Sequence, residues 1–365
     1  VRIQAVKCGE YSPVGICRWV FAGGYLPVRG SGRRLVTVVA RAVPLPARMR
    51  VPLRSRSERK DPSGLGAEAG IVDCGSSRKA LQRVEEGLVA ERVLEHEIVK
   101  SPGAEPVRWL YMLHGIFGMG RNWGSIARRV TRARPEWGAV LVDLREHGGS
   151  RGFPPPHTLE ATARDLRELA GSLGVRTDAI LGHSFGGKVA LTYARDYPDA
   201  VDQLWVVDST PEARTPGGSA ARMLETLRAH PGPFASRGDA VAALAADGWP
   251  TGVAQWMATN LEPNNGELGW ALDLSAMQAL LDDFFATDLW PVVETPSDHL
   301  ELHFLRATRS DILTDAAVDR IEAADERTGR VFLHRVEGGH WLNADNPDAV
   351  VMLLEEWLPE AVLSP

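Results

Sequence analysis

Ser184 sits in the stretch "LGHSFGGKVAL" (residues 181–191), with Gly182 and Gly186 on either side of it. A Gly-x-Ser-x-Gly segment between an apolar run and a helical one places the serine on an abrupt strand-to-helix turn. Cβ atoms at the flanks would collide there, and the serine backbone is strained. The hydroxyl then stands clear of the sheet, above a helix N-terminus that favours negative charge. In a chain with 36 glycines the pattern alone carries little, but "AILG" before it and "GKVALTYA" after it supply the required strand and helix. The chemistry that fits is attack by a serine oxygen.

A serine hydroxyl attacks poorly unless a base takes its proton. Of ten histidines, only His340, in "VEGGHWLNADNP", combines a glycine-rich loop after the last expected strand with a late chain position. His183 points elsewhere on the turn, and His114 and His147 are placed at strand ends to brace loops. The histidine needs a carboxylate to fix its tautomer and stabilise its charged form. Asp311 in "RATRSD" follows the penultimate expected strand and gives the order Ser184, Asp311, His340. Asp208 in "WVVDSTP" ends the strand after the serine turn and is the alternative acid. Asp311 is preferred. The oxyanion requires backbone donors. The N–H of Phe185, after the serine, and that of Ile116, after "YMLHG", are the candidates.

Other chemistries fit less well. "HGIFGMGRNW" reads G-x-x-G-x-G, with Trp123 in the place of a third glycine, although Asp143 stands about 20 residues on, where a ribose-binding acid would sit. No phosphate-loop pattern is present, so nucleotide binding is not expected. All three cysteines, Cys8, Cys17 and Cys74, precede residue 88, which leaves no thiolate nucleophile or metal ligand in the body. Residues 1–60 carry thirteen Lys and Arg against two acids, so the remaining chain has 28 basic and 45 acidic residues. An acidic body argues against nucleic-acid binding. Residues 1–87 read as a basic leader and linker, matching an import signal for plastid or mitochondrion; the other readings are a basic disordered arm or translated sequence outside the mature protein, with a cytoplasmic location. No apolar stretch is long enough for stable membrane insertion.

The elements that must hold these residues alternate at α/β spacing. Strands are expected in 88–99, 107–115, 138–150, 177–184, 201–210, 300–311 and 329–340, and helices over 121–133, 158–173, 186–197 and from Pro347. This predicts a mainly parallel sheet covered by helices on both faces. Between 211 and 295 helical periodicity continues without a convincing strand, which marks a helical insertion, expected after the sixth strand. The core is then 88–210 with 296–365.

Together, "LHGIFGMGRNW", "VDLREHGGS", "GHSFGGKVAL", "RSD" and "GGHWLNADNPDAV" resemble the α/β-hydrolase fold superfamily over about residues 88–360. Within it they are most similar to the group of alpha/beta-hydrolase domain-containing protein 11 and its bacterial esterase relatives. The resemblance implies a serine hydrolase that cleaves carboxylic esters or thioesters through an acyl-enzyme. Ser184 would be the nucleophile, His340 the base, and Phe185 and Ile116 the oxyanion donors, with no metal or organic cofactor. It also implies small esters, thioesters or acyl lipids as substrates. "RATRSD" departs from the group's usual Gly-Gly-Asn-Ser, which leaves the acid open between Asp311 and Asp208. The insertion would form a cap, with Trp249, Trp256, Trp270, Phe284 and Phe285 lining an apolar acyl site or joining cap to body. A hydrolase-like ligand receptor, or a C–C bond hydrolase or lyase, would use the same three residues.

Overall fold

A computed structural model describes residues 92–360. The leader and linker expected over 1–87, the three cysteines and the import reading attached to them lie outside the described residues. Among the described residues nine strands are present: β1 (His96–Val99), β2 (Arg108–Leu113), β3 (Trp137–Val142), β4 (Ala179–His183), β5 (Gln203–Val207), β6 (Leu261–Asn264), β7 (Glu267–Trp270), β8 (Glu301–Ala307) and β9 (Val331–Val336). Seven form one sheet in the order β1-β3-β2-β4-β5-β8-β9. Only β1 runs antiparallel, pairing with β3 along the edge.

Strands buried on both faces read as continuous apolar runs. Accordingly, "WGAVLV" in β3 and "QLWVV" in β5 are buried at every position. Successive side chains nevertheless serve different layers. Leu110 and Met112 of β2 pack with Ile126, Val130, Val350 and Leu354 from the helices Gly124–Ala133 and Pro347–Trp357. Tyr111 and Leu113 belong to the core layer on the other face, which also holds Leu166, Val189 and Ile321 from Leu159–Leu173, Phe185–Asp196 and Asp315–Thr328. The period of two in the strands thus meets a helical layer on each side.

Two expectations need correction. Among the described residues five strands, not six, precede the insertion, which joins β5 to β8. The insertion holds the helices Gly218–Ala229, Arg237–Ala246, Thr251–Met257, Leu274–Ala286 and Trp290–Glu294, but it also contains the hairpin β6–β7. Asn265 and Gly266 turn that hairpin at φ of 50° and 90°. Asn-Gly is the dipeptide that such two-residue turns favour, so this turn has a local signal in the sequence.

The chain places β3 on one side of β2 and β4 on the other. The carboxyl ends of β2 and β4 therefore flank a crevice where the strand order reverses, the usual ligand position in open α/β sheets. The loop after β2 and the turn at Ser184 both open there. No helix among the described residues is long and apolar enough to cross a membrane.

Just past β3, Arg145 is buried and makes a two-pronged pair with Asp165, at 2.7 Å for each contact, while also donating to the Pro154 carbonyl at 2.6 Å. Removing one partner of a buried pair leaves an uncompensated charge. Asp165→Leu is expected to destabilise the protein by about 3–5 kcal/mol in urea unfolding; a loss below about 1 kcal/mol would show that the pair is not a structural requirement.

Candidate active site

Ser184 has φ 51° and ψ −114°, a region that non-glycine residues rarely enter. Its N–H donates to the Val207 carbonyl at 3.0 Å, and its own carbonyl accepts from Ser209 Oγ at 2.7 Å and Gly187 N at 2.9 Å. The flanking glycines are required by space. A Cβ on Gly182 would fall 2.1 Å from the Gly186 carbonyl oxygen, and one on Gly186 would fall 2.6 Å from the His114 carbonyl oxygen.

His340 follows β9 and faces the same cavity as Ser184. Its Nδ1–H donates to Asp208 Oδ2 at 2.6 Å, which leaves Nε2 as an acceptor. Asp208 is fully buried just past β5. Its Oδ2 also accepts from Ser310 Oγ at 2.6 Å, and its Oδ1 accepts from Ala307 N at 3.2 Å. The preference for Asp311 is therefore corrected: the carboxylate brought to His340 is the alternative, Asp208. After β8 the chain turns Ser310 inward onto Asp208, and Asp311, the next residue, is left exposed at the cavity. Ser310 itself was not singled out in the sequence. Its only signal was its place in "RSD", beside Asp311.

The neighbouring loops are held by three buried histidines. His183 Nε2–H donates to the His340 carbonyl at 2.8 Å, so the residue before Ser184 anchors the backbone of His340. His114 Nδ1–H donates to Gly115 O at 2.7 Å while its Nε2 accepts from Leu144 N at 3.0 Å. His147 Nδ1–H donates to Arg145 O at 2.8 Å while its Nε2 accepts from Phe117 N at 3.1 Å. Burial is the main cause that pushes these imidazoles down, His114 to about 4 and His147 and His183 to about 3, with the adjacent imidazoles adding to it. All three are neutral at ordinary pH. Asp143, considered above as a ribose ligand, accepts instead from Gly120 N and Gly149 N, each at 2.8 Å. Among the described residues the N–H groups of Ile116 and Phe185 have no protein acceptor, and Ile116 lines the cavity.

That cavity measures about 290 Å³. Trp249, Trp256, Phe284 and Phe285 from the insertion line it, as does Trp341 beside His340. Trp270 does not; it packs on Phe234 at 5.5 Å, and its indole N–H donates to the His230 carbonyl. A larger, more open groove of about 960 Å³ runs between β1 and the hairpin, and Ser184, His340 and Asp208 are not among the residues that line it.

Residues 110–353 match the Alpha/beta hydrolase family, and the chain belongs to it. The sn-1-specific diacylglycerol lipase ABHD11 of Mus musculus is 29% identical over 254 residues, covering 67% of this chain and 80% of that protein. Lipase LipV of Mycobacterium tuberculosis is 28% identical over 274 residues, covering 73% of this chain and 98% of that protein. A solved marine microorganism esterase shares the fold with a TM-score of 0.63 and 24% identity, covering 73% of this chain and 99% of that one. The molecule is a hydrolase of the α/β fold, related to lipases and esterases.

The depressed imidazoles carry a pH consequence. Unfolding lets each take up a proton at about pH 6.5, so stability is full above that value and falls as pH drops toward 3–4. Each group contributes a slope of about 1.4 kcal/mol per pH unit within that window. Urea midpoints are expected to fall from about pH 7 to about pH 5, less steeply in His147→Gln. Midpoints that do not change with pH would contradict neutral burial.

Proposed function

We propose that the protein is a serine hydrolase that cleaves carboxylic esters or thioesters through an acyl-enzyme on Ser184. The observation that carries this reading is the Asp208–His340 hydrogen bond, which presents the Nε2 lone pair of His340 to the cavity that also holds the strained Ser184.

In the first half-reaction Ser184 Oγ attacks the acyl carbon as His340 Nε2 takes its proton. Asp208 holds the imidazole in the tautomer that permits this and stabilises the imidazolium. The carbonyl oxygen, now negative, is received by the N–H groups of Ile116 and Phe185. His340 returns the proton to the leaving alkoxide or thiolate as the tetrahedral species collapses. Water then enters, gives its proton to His340 and attacks the acyl carbon. Collapse releases the acid and restores Ser184.

The insertion serves as the cap over this site. Its aromatic lining favours an apolar acyl group. At the ~30 Å³ that a water-sized group occupies, the cavity holds roughly ten such groups. The lipase and diacylglycerol lipase relatives support an acyl lipid or a medium-chain ester as the substrate class.

Ser184→Ala is expected to lower kcat/KM on p-nitrophenyl esters by about 10⁴-fold or more, with the fold retained by circular dichroism. Turnover at the wild-type rate would refute the assignment. The two carboxylates are separated by a paired test. Asp208→Asn should reduce kcat by about 10³–10⁴-fold, and Asp311→Asn by less than about threefold. The reverse ranking would restore Asp311 as the acid.

A further inference from the structure

One buried charge has no part in the reaction steps. Lys188 lies one turn past Ser184 on the helix Phe185–Asp196 and is 1% exposed. Its Nζ donates to three backbone carbonyls: Glu212 at 2.8 Å, Phe284 at 2.6 Å and Thr287 at 2.8 Å. An ammonium has three donors, so all are used. Glu212 belongs to the segment that leaves β5 for the cap. Phe284 and Thr287 lie at the C-terminal end of Leu274–Ala286, where the chain turns back toward the sheet. The two segments also touch directly, through Arg214 N to Phe285 O at 2.7 Å and Leu289 N to Pro211 O at 2.8 Å.

The same ammonium sits 4.6 Å from the centre of the Phe284 ring, and that ring is 6.1 Å from Phe185. Phe284 and Phe285 line the cavity. A cation is favoured both over an aromatic face and at a helix C-terminus. Burying an ammonium is costly, and an apolar side chain could fill the same volume without that cost. What only the charged group supplies is a fixed link between the nucleophile's helix and both ends of the cap.

We propose that Lys188 is a positioning residue whose ammonium pins both hinge segments of the cap, and thereby holds the Phe284–Phe285 wall at the depth that sets acyl-chain selectivity. The proposal rests on the reading of Ser184 as nucleophile. Loss of the proton removes one donor and the charge, and frees the wall to move. Burial, with Arg214 next, pushes the Lys188 amine down to about 8, while Asp288, Glu212 and Asp283 oppose them; these are the charged groups that face it. The charge is thus complete at about pH 6.5 and mostly gone at about pH 9.5.

The test compares kcat/KM for p-nitrophenyl octanoate and p-nitrophenyl acetate in wild type, Lys188→Met and Lys188→Arg. The octanoate-to-acetate ratio cancels any pH dependence of the chemical steps that both esters share. In wild type the ratio should fall about fivefold or more between about pH 6.5 and about pH 9.5, through KM for octanoate. Lys188→Met should show the low ratio at both pH values, with faster amide exchange over 211–217 and 283–289 than wild type at the same pH. Lys188→Arg, which keeps its charge throughout, should show no change with pH. A wild-type ratio that stays constant with pH overturns the proposal, whether or not the variants fold. Absence of ester turnover in wild type at both pH values would contradict the hydrolase reading instead, and unchanged hinge exchange in Lys188→Met would then overturn the pin.

Discussion

The backbone of Ser184 is the constraint on which the site depends. A φ of 51° with a ψ of −114° does not persist in a free chain. It persists here because β4 hands directly into a helix, with no room for a Cβ at Gly182 or Gly186. Val207, Ser209 and Gly187 then hold the serine's own peptide groups. Residues at and just after the end of β5 therefore do two things at once: Val207 and Ser209 fix the turn, and Asp208, between them, receives His340. Three successive residues on one strand end couple the strained hydroxyl to the group proposed to activate it.

The rest of the fold supports that coupling. The parallel sheet aligns the ends of β2, β4, β5, β8 and β9 on one rim, so that residues far apart in sequence meet there. Neutral histidines tie the loops on that rim to one another, and their burial keeps them from competing as bases. His183 is the most direct of these, since it links the serine turn to the backbone of His340. Aromatic side chains of the insertion line the cavity at that rim. Lys188, on the helix that begins at the serine turn, donates to carbonyls of both segments that join the insertion to the sheet.

Much of this was legible in the sequence, and the failures have physical causes. The Gly-x-Ser-x-Gly turn and the strand–helix alternation are local, so residue spacing reports them directly. The strands β2 to β5 fall inside the expected stretches, or within one residue of them. The acid was misjudged because chain order does not reveal which carboxylate faces inward. Asp208 and Asp311 both follow strands, and what separates them is that the folded chain buries Asp208 and brings His340 and Ser310 to it, while Asp311 stays exposed. The hairpin β6–β7 was missed because its strands are four residues each and its Asn-Gly turn sat among helical periods. Trp270, which the resemblance left between lining the acyl site and joining cap to body, packs on Phe234 and donates to the His230 carbonyl, both within the insertion. Lys188 gave no signal of its burial, since a lysine on a helix ordinarily faces water.

The most direct measurement is peptide mapping after reaction with a fluorophosphonate, which modifies only a hydroxyl that has been made nucleophilic. The account predicts one phosphonyl group, carried by Ser184 in the peptide that contains "GHSFGGK", and slow labelling when Asp208 is replaced by Asn. An unmodified protein, or an adduct on a different serine, would contradict it.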